Sequence, residues 1–178
     1  MKIKKSTLFF PFFLLFALSF SLCSAGKLNP SKLPDNTNAP SISLYTRSGE
    51  KFSFEDYSEN NILIVFMATT CSSCKKELPQ IQKLVKNNSL TDTRYFLISV
   101  DDKDSLKNLD SFLNNTNIEM PVLLDKYKTT AAKYQILENN ETVVPALFYI
   151  GKNGKILFSQ VGYNPQTIDI LKKIGSKS

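Results

Sequence analysis

Residues 61–86, NILIVFMATTCSSCKKELPQIQKLVK, decide the architecture of this 178-residue chain. The stretch begins with NILIVFM (61–67), an apolar run rich in β-branched and aromatic side chains, as expected of a strand buried on both faces. The period then changes. Leu78, Ile81, Leu84 and Val85 recur at helical spacing, which predicts a helix over about 72–86 with Pro79 inside it. Between strand and helix stands Cys71-Ser72-Ser73-Cys74. A cysteine opening a helix faces unpaired backbone N–H groups and the positive end of the helix dipole. Both favour thiolate over thiol and can bring a cysteine pKa from about 8.5 into the range ~3.5–7.5. Cys74 lies one turn further in, close enough to form a disulfide and more buried. Cys71 is therefore expected to attack, and Cys74 to resolve the mixed disulfide.

Outward from this centre the chain alternates strand and helix. SISLYT and KFSFEDY, around Arg47-Ser48-Gly49-Glu50, predict a hairpin. RYFLISV (94–100) is a second buried strand, and Asp104 is expected to cap a helix carrying Leu106, Leu109, Phe112 and Leu113. MPVLLD (120–125) reads as a short strand, TTAAKYQI (129–136) as a short helix and LENNET (137–142) as a polar loop. PALFYI and KILFSQVGY, joined by GKNG, form a hairpin, and a last helix starts near Pro165 with Ile168, Leu171 and Ile174 on one face. The expected class is α/β, a central mixed sheet flanked by helices.

The N-terminal 25 residues are of another kind. MKIKKS carries three lysines, an apolar run follows, and Cys23 and Ala25 are small residues before Gly26, the plan of an export signal. Three fates fit: cleavage before Gly26, retention as an N-terminal membrane anchor, or lipidation at Cys23. Either way the remainder is placed outside the cytoplasm, in the periplasm or on the outer face of the cytoplasmic membrane. Residues 26–40, GKLNPSKLPDNTNAP, read as a linker, and 41–178 as one domain. The net charge of +6 falls to +3 without the three leader lysines. The other lysines are scattered with no aromatic-interleaved basic stretch, so no nucleic-acid partner is expected.

Histidine is absent, which excludes Ser-His and Cys-His catalysis and any histidine metal ligand. Cys71 and Cys74 are the only cysteines after the leader. A zinc site would need two more ligands of the usual kind. A purely structural bridge over two intervening residues closes too small a loop to stabilise much. No cofactor is expected.

VFMATTCSSCKKELPQIQKL resembles the F-W-A-T-W-C-x-x-C-x-x-E-x-P signature of the TlpA/ResA-like thiol-disulfide oxidoreductases, which have a thioredoxin-like fold. VVPALFYIGKNGKILFSQVGY is similar to their cis-proline strand and hairpin. ISVDDKDSLKNLDSFL with MPVLLDK is similar to their inserted helix and strand. The resemblance runs from about Pro40 to Leu171. It implies that Cys71 is the nucleophile, Cys74 the resolving cysteine, Pro145 a cis-proline facing the pair, and Glu77 the carboxylate three residues after the second cysteine. Val144 would then present backbone to a substrate chain across the sulfurs. Two departures stand out. Thr70 replaces the tryptophan before the first cysteine, which alters the docking surface, and Ser72-Ser73 differs from the dipeptides common in the family.

The implied activity is dithiol–disulfide exchange with exported protein substrates, fed by a membrane thiol donor when it runs as a reductant; apocytochrome c thiols are one candidate substrate, and an oxidant role stays open because CxxC proteins of one fold span about −270 to −120 mV. A peroxiredoxin-like peroxidase shares the fold but expects a threonine where this chain has Ala68. A copper-handling or interaction module is a non-enzymatic alternative, although copper chaperones on this fold use a histidine.

Overall fold

The computed structural model describes residues 33–175. The leader, Cys23 and the first part of the linker lie outside the described residues.

The apolar run at 61–67 forms β3 (Asn61–Met67), buried along its whole length. Its side chains alternate between two cores. Ile62, Ile64 and Phe66 enter one, and Leu63, Val65 and Met67 the other. A strand with no solvent face must lie inside the sheet, and β3 does, with a neighbour on each side. It pairs in parallel with β4 (Thr93–Ser99) and antiparallel with β8 (Ala146–Ile150).

The remaining strands complete one seven-stranded mixed sheet. Its members are β1 (Ser43–Thr46), β2 (Lys51–Ser53), β5 (Val122–Leu124) and β9 (Ile156–Val161), in the order β2-β1-β5-β4-β3-β8-β9. The first core packs α4 (Thr129–Lys133) and the Phe66, Tyr134 and Phe148 rings against one face. On the other face lie α1 (Ser72–Lys86), α3 (Leu109–Thr116) and α5 (Thr167–Gly175). Cys74, Leu78, Ile81 and Leu84 form the inward stripe of α1 at spacings of three and four, as an amphipathic helix requires.

Several boundaries differ from the sequence expectation. The helix after β4 comes in two pieces, α2 (Lys103–Leu106) and α3, and its cap is Asp102, whose Oδ1 accepts from the Ser105 N–H at 2.8 Å. The polar run 137–142 is not a plain loop. It folds into a hairpin of β6 (Leu137–Glu138) and β7 (Glu141–Thr142), turning through Asn139 and Asn140, both at positive φ. Asparagine tolerates that conformation, which suits a two-residue hairpin turn. Residues 36–39, expected within the linker, bond to the outer edge of the sheet. The Asn36 N–H donates to the Ile156 carbonyl, Ile156 N–H to Thr37, and Ala39 N–H to Gly154. This covers part of an exposed strand edge.

Among the described residues, no helix is long and apolar enough to cross a membrane.

Candidate active site

The site forms where β3 ends and α1 begins. Cys71 is the N-cap of α1, with extended backbone (φ −76°, ψ 107°), and is bonded to Cys74 through a disulfide. Its Sγ also accepts the Cys74 N–H at 3.0 Å, so the sulfur lies on the unpaired amides of the helix start. Cys71 is half-buried and Cys74 is fully buried. The asymmetry expected from sequence is therefore present in space: one sulfur lies within reach of a partner and the other is screened.

A buried carboxylate holds the approach to the cysteines. Asp101, just beyond β4, accepts the Thr69 N–H with both oxygens, at 2.9 and 3.1 Å, and the Thr69 hydroxyl at 2.8 Å. The Ser99 hydroxyl bonds its other oxygen at 2.8 Å. The end of β4 thereby clamps the loop that presents Cys71. Sequence reasoning missed Asp101. The available signal was its place just beyond a buried parallel strand, at the carboxyl end where open α/β sheets carry their sites.

The Val144–Pro145 peptide bond is cis, and Pro145 is buried at the start of β8. Thr70, Cys71, Ser72 and Ser73 line a groove of about 740 Å³ together with Val100, Asp101 and Asp102 and the 138–144 hairpin side, including Val144. Of the residues singled out from sequence, Thr70, Cys71 and Val144 meet in this groove. Cys74, Glu77 and Pro145 are buried and do not line it.

Glu77 lies one turn beyond Cys74 on the inward face of α1, only 2% exposed. Burial, which disfavours the charged form, pushes its carboxyl above the usual range, while hydrogen bonds from Thr167 and Gln160 oppose the rise. Gln160 of β9 donates from Nε2 to Glu77 Oε1 at 3.3 Å. Neither Gln160 nor Thr167 was found from sequence. Strand alternation failed because the β8–β9 pairing is irregular between Tyr149 and Ile150. Ile156 and Phe158 consequently face different cores although they share parity. Among the described residues, no cluster of three or more Cys, Asp or Glu is arranged to hold a metal ion.

Comparison with known proteins agrees with this geometry. The AhpC/TSA family model matches residues 36–159. The thioredoxin-like protein YneN of Bacillus subtilis (strain 168) is 29% identical over 133 residues, 73% of each chain. The thiol-disulfide oxidoreductase ResA of Bacillus anthracis is 26% identical across 96% of this chain and 98% of its own. Among solved structures, a thiol:disulfide interchange protein DsbE from Chlorobium tepidum superposes with a TM-score of 0.67 at 23% identity. It covers 79% of this chain and 94% of that one. The fold is thioredoxin-like.

Proposed function

This chain belongs to the AhpC/TSA family and is a thiol-disulfide oxidoreductase, and on that premise we propose that it reduces disulfides of exported proteins outside the cytoplasm. The observation that carries the reading is the half-buried Cys71 sulfur at a helix N-terminus, opening into a groove and backed by a fully buried Cys74.

In the reduced protein, the Cys71 thiolate attacks a substrate disulfide. One substrate thiolate leaves and a mixed disulfide forms on Cys71. Cys74 then loses its proton and attacks Cys71 Sγ. The second substrate thiolate departs, and two electrons have passed to the substrate. The protein ends in the Cys71–Cys74 disulfide. In this reading Glu77 takes the Cys74 proton, supported by the raised pKa of its buried carboxyl, which accepts a proton more readily than an exposed one. Thr70 and Val144, which line the groove, frame the substrate chain, with Pro145 buried next to Val144 in the chain. A membrane thiol donor would return the pair to the dithiol. The export reading rests on the leader at 1–25.

A peroxidase reading would need a hydroxyl where Ala68 stands.

Replacing Cys74 by Ala in the full-length protein removes resolution and should trap mixed disulfides on Cys71 in intact cells. Trapped partners are expected to be exported proteins with paired cysteines. Partners confined to the cytoplasm, or equal trapping by Cys71→Ser, would overturn the assignment.

A further inference from the structure

Gln160 is a polar side chain at 1% exposure in an otherwise largely apolar strand, and both ends of its amide are engaged. Nε2 donates to the Gly162 carbonyl at 2.9 Å and to Glu77 Oε1 at 3.3 Å, while Oε1 accepts the Thr167 hydroxyl at 2.6 Å. Thr167 is itself fully buried at the start of α5. Because the Thr167 hydroxyl occupies Oε1, only the donor end of the amide can face Glu77. A donor aimed at a carboxylate favours its charged form.

Thr167 supports that donor. Its hydroxyl lies 2.6 Å from Gln160 Oε1 and 2.7 Å from the Asn164 carbonyl, so it fixes the amide in place. Its effect on Glu77, like that of Gln160, favours the charged carboxylate. A buried carboxyl group that must ionise needs such a donor held in position.

We propose that Gln160, seated by Thr167, is a positioning residue for disulfide exchange: it holds the Glu77 carboxyl one helical turn from Cys74 and supplies the hydrogen bond that the charged carboxylate needs before it takes the Cys74 proton. This rests on the reading of Glu77 as the proton acceptor. In the resolving step the proton leaves Cys74 Sγ for Glu77. The Cys74–Cys71 bond forms as the Cys71–substrate bond breaks, and the electron pair leaves on the substrate sulfur. Glu77 then returns its proton to that thiolate or to solvent.

Other ionisable groups on the packed elements do not compete for this role. β9 carries none. Tyr149 of β8 bonds Thr93, and Asp169 of α5 pairs with Lys172 at the surface. Lys75 and Lys76 of α1 are exposed, and Lys173 lies in the last turn of α5. The Cys71–Cys74 pair is the redox couple itself.

The test uses a mixed disulfide between Cys71 and a coloured aromatic thiol, whose release by Cys74 is timed from pH 5 to 9. The Glu77 carboxyl is titrated in parallel by infrared difference spectroscopy, with Glu77→Gln as the blank. Gln160→Met keeps the length but removes the donor, and should move the Glu77 titration and the release profile upward by about one pH unit, a tenfold change in proton affinity. Thr167→Val should alter the profile and Thr167→Ser should restore it. In a Glu77→Gln background, Gln160→Met should add nothing. Should Gln160→Met fail to fold, Gln160→Asn withdraws the amide by one methylene and carries the same test. If Glu77→Gln changes the profile while Gln160→Met and Thr167→Val do not, the positioning role is wrong. If Glu77→Gln itself leaves the profile unmoved, the proton-acceptor reading fails and this inference with it.

Discussion

Glu77 and Asp101 are both buried acids beside one disulfide, and their surroundings set them apart. Asp101 accepts from the Thr69 backbone, the Thr69 hydroxyl and the Ser99 hydroxyl, so both its oxygens are used in structure. Replacing it with Ala leaves those donors without partners. Each buried unsatisfied donor costs roughly 1–3 kcal/mol, so Asp101→Ala should destabilise the protein by about 3 kcal/mol in urea titration. Insulin reduction should fall with it as the Cys71 loop loosens. Glu77 is held by fewer bonds, and burial wins. Its carboxyl is raised above the ordinary value, so its ionisation works against the fold. The sign follows from linkage. A carboxyl with a raised folded pKa favours folding at low pH, and that support is lost as pH rises through the folded pKa. Glu77→Gln should therefore raise the melting temperature at neutral pH, with the gain fading as pH falls toward 4, where the wild-type acid is itself neutral. Melting curves across that range check this, and a constant difference would contradict it.

At the scale of elements, the groove is made by pieces of unlike strength. The β3–α1 junction is anchored in both cores, whereas the β6–β7 hairpin is two short pairs closed by Asn139 and Asn140 at φ 49° and 65°. A β-branched residue is disfavoured in the left-handed region. Asn140→Val should lower stability by about 1 kcal/mol. Because that hairpin borders the groove, the variant should raise KM for a protein disulfide more than for a small one. Equal changes for both substrates would show that the hairpin plays no part in docking. The α2–α3 break and the α4 start are likewise set by local caps, Asp102 bonding the Ser105 N–H and Asp125 bonding the Thr130 and Ala131 N–H groups.

The whole molecule is two apolar layers on one sheet, and the sheet keeps them apart. Ile64 belongs to one core and Ile81 to the other, both with no exposed surface. Truncating either to Ala should cost about 2–5 kcal/mol. Because they belong to different cores on opposite faces of the sheet, the double variant should equal the sum within about 0.5 kcal/mol. A denaturant series on the four proteins measures this directly, and strong coupling would mean that the two layers relax together. What the residues determined by themselves was everything local: the apolar run at 61–67, the change of period after it, and a cysteine pair at the helix start. From those came the fold class and the main order of elements, since periodicity and helix-end chemistry operate within a few residues of chain. Legibility stopped at contacts between distant segments. LENNET at 137–142 read as a polar loop, because its two-residue strands were too short to show a period. Asp101 was not singled out, because its partner Thr69 lies 32 positions away in the chain. Gln160 could not be assigned a face, because the β8–β9 irregularity reverses the alternation on which strand reading depends. Only the tertiary structure decided that Glu77, Gln160 and Thr167 share one buried space, because burial and hydrogen-bond partnership are properties of packed neighbours 83 and 7 positions apart in the chain.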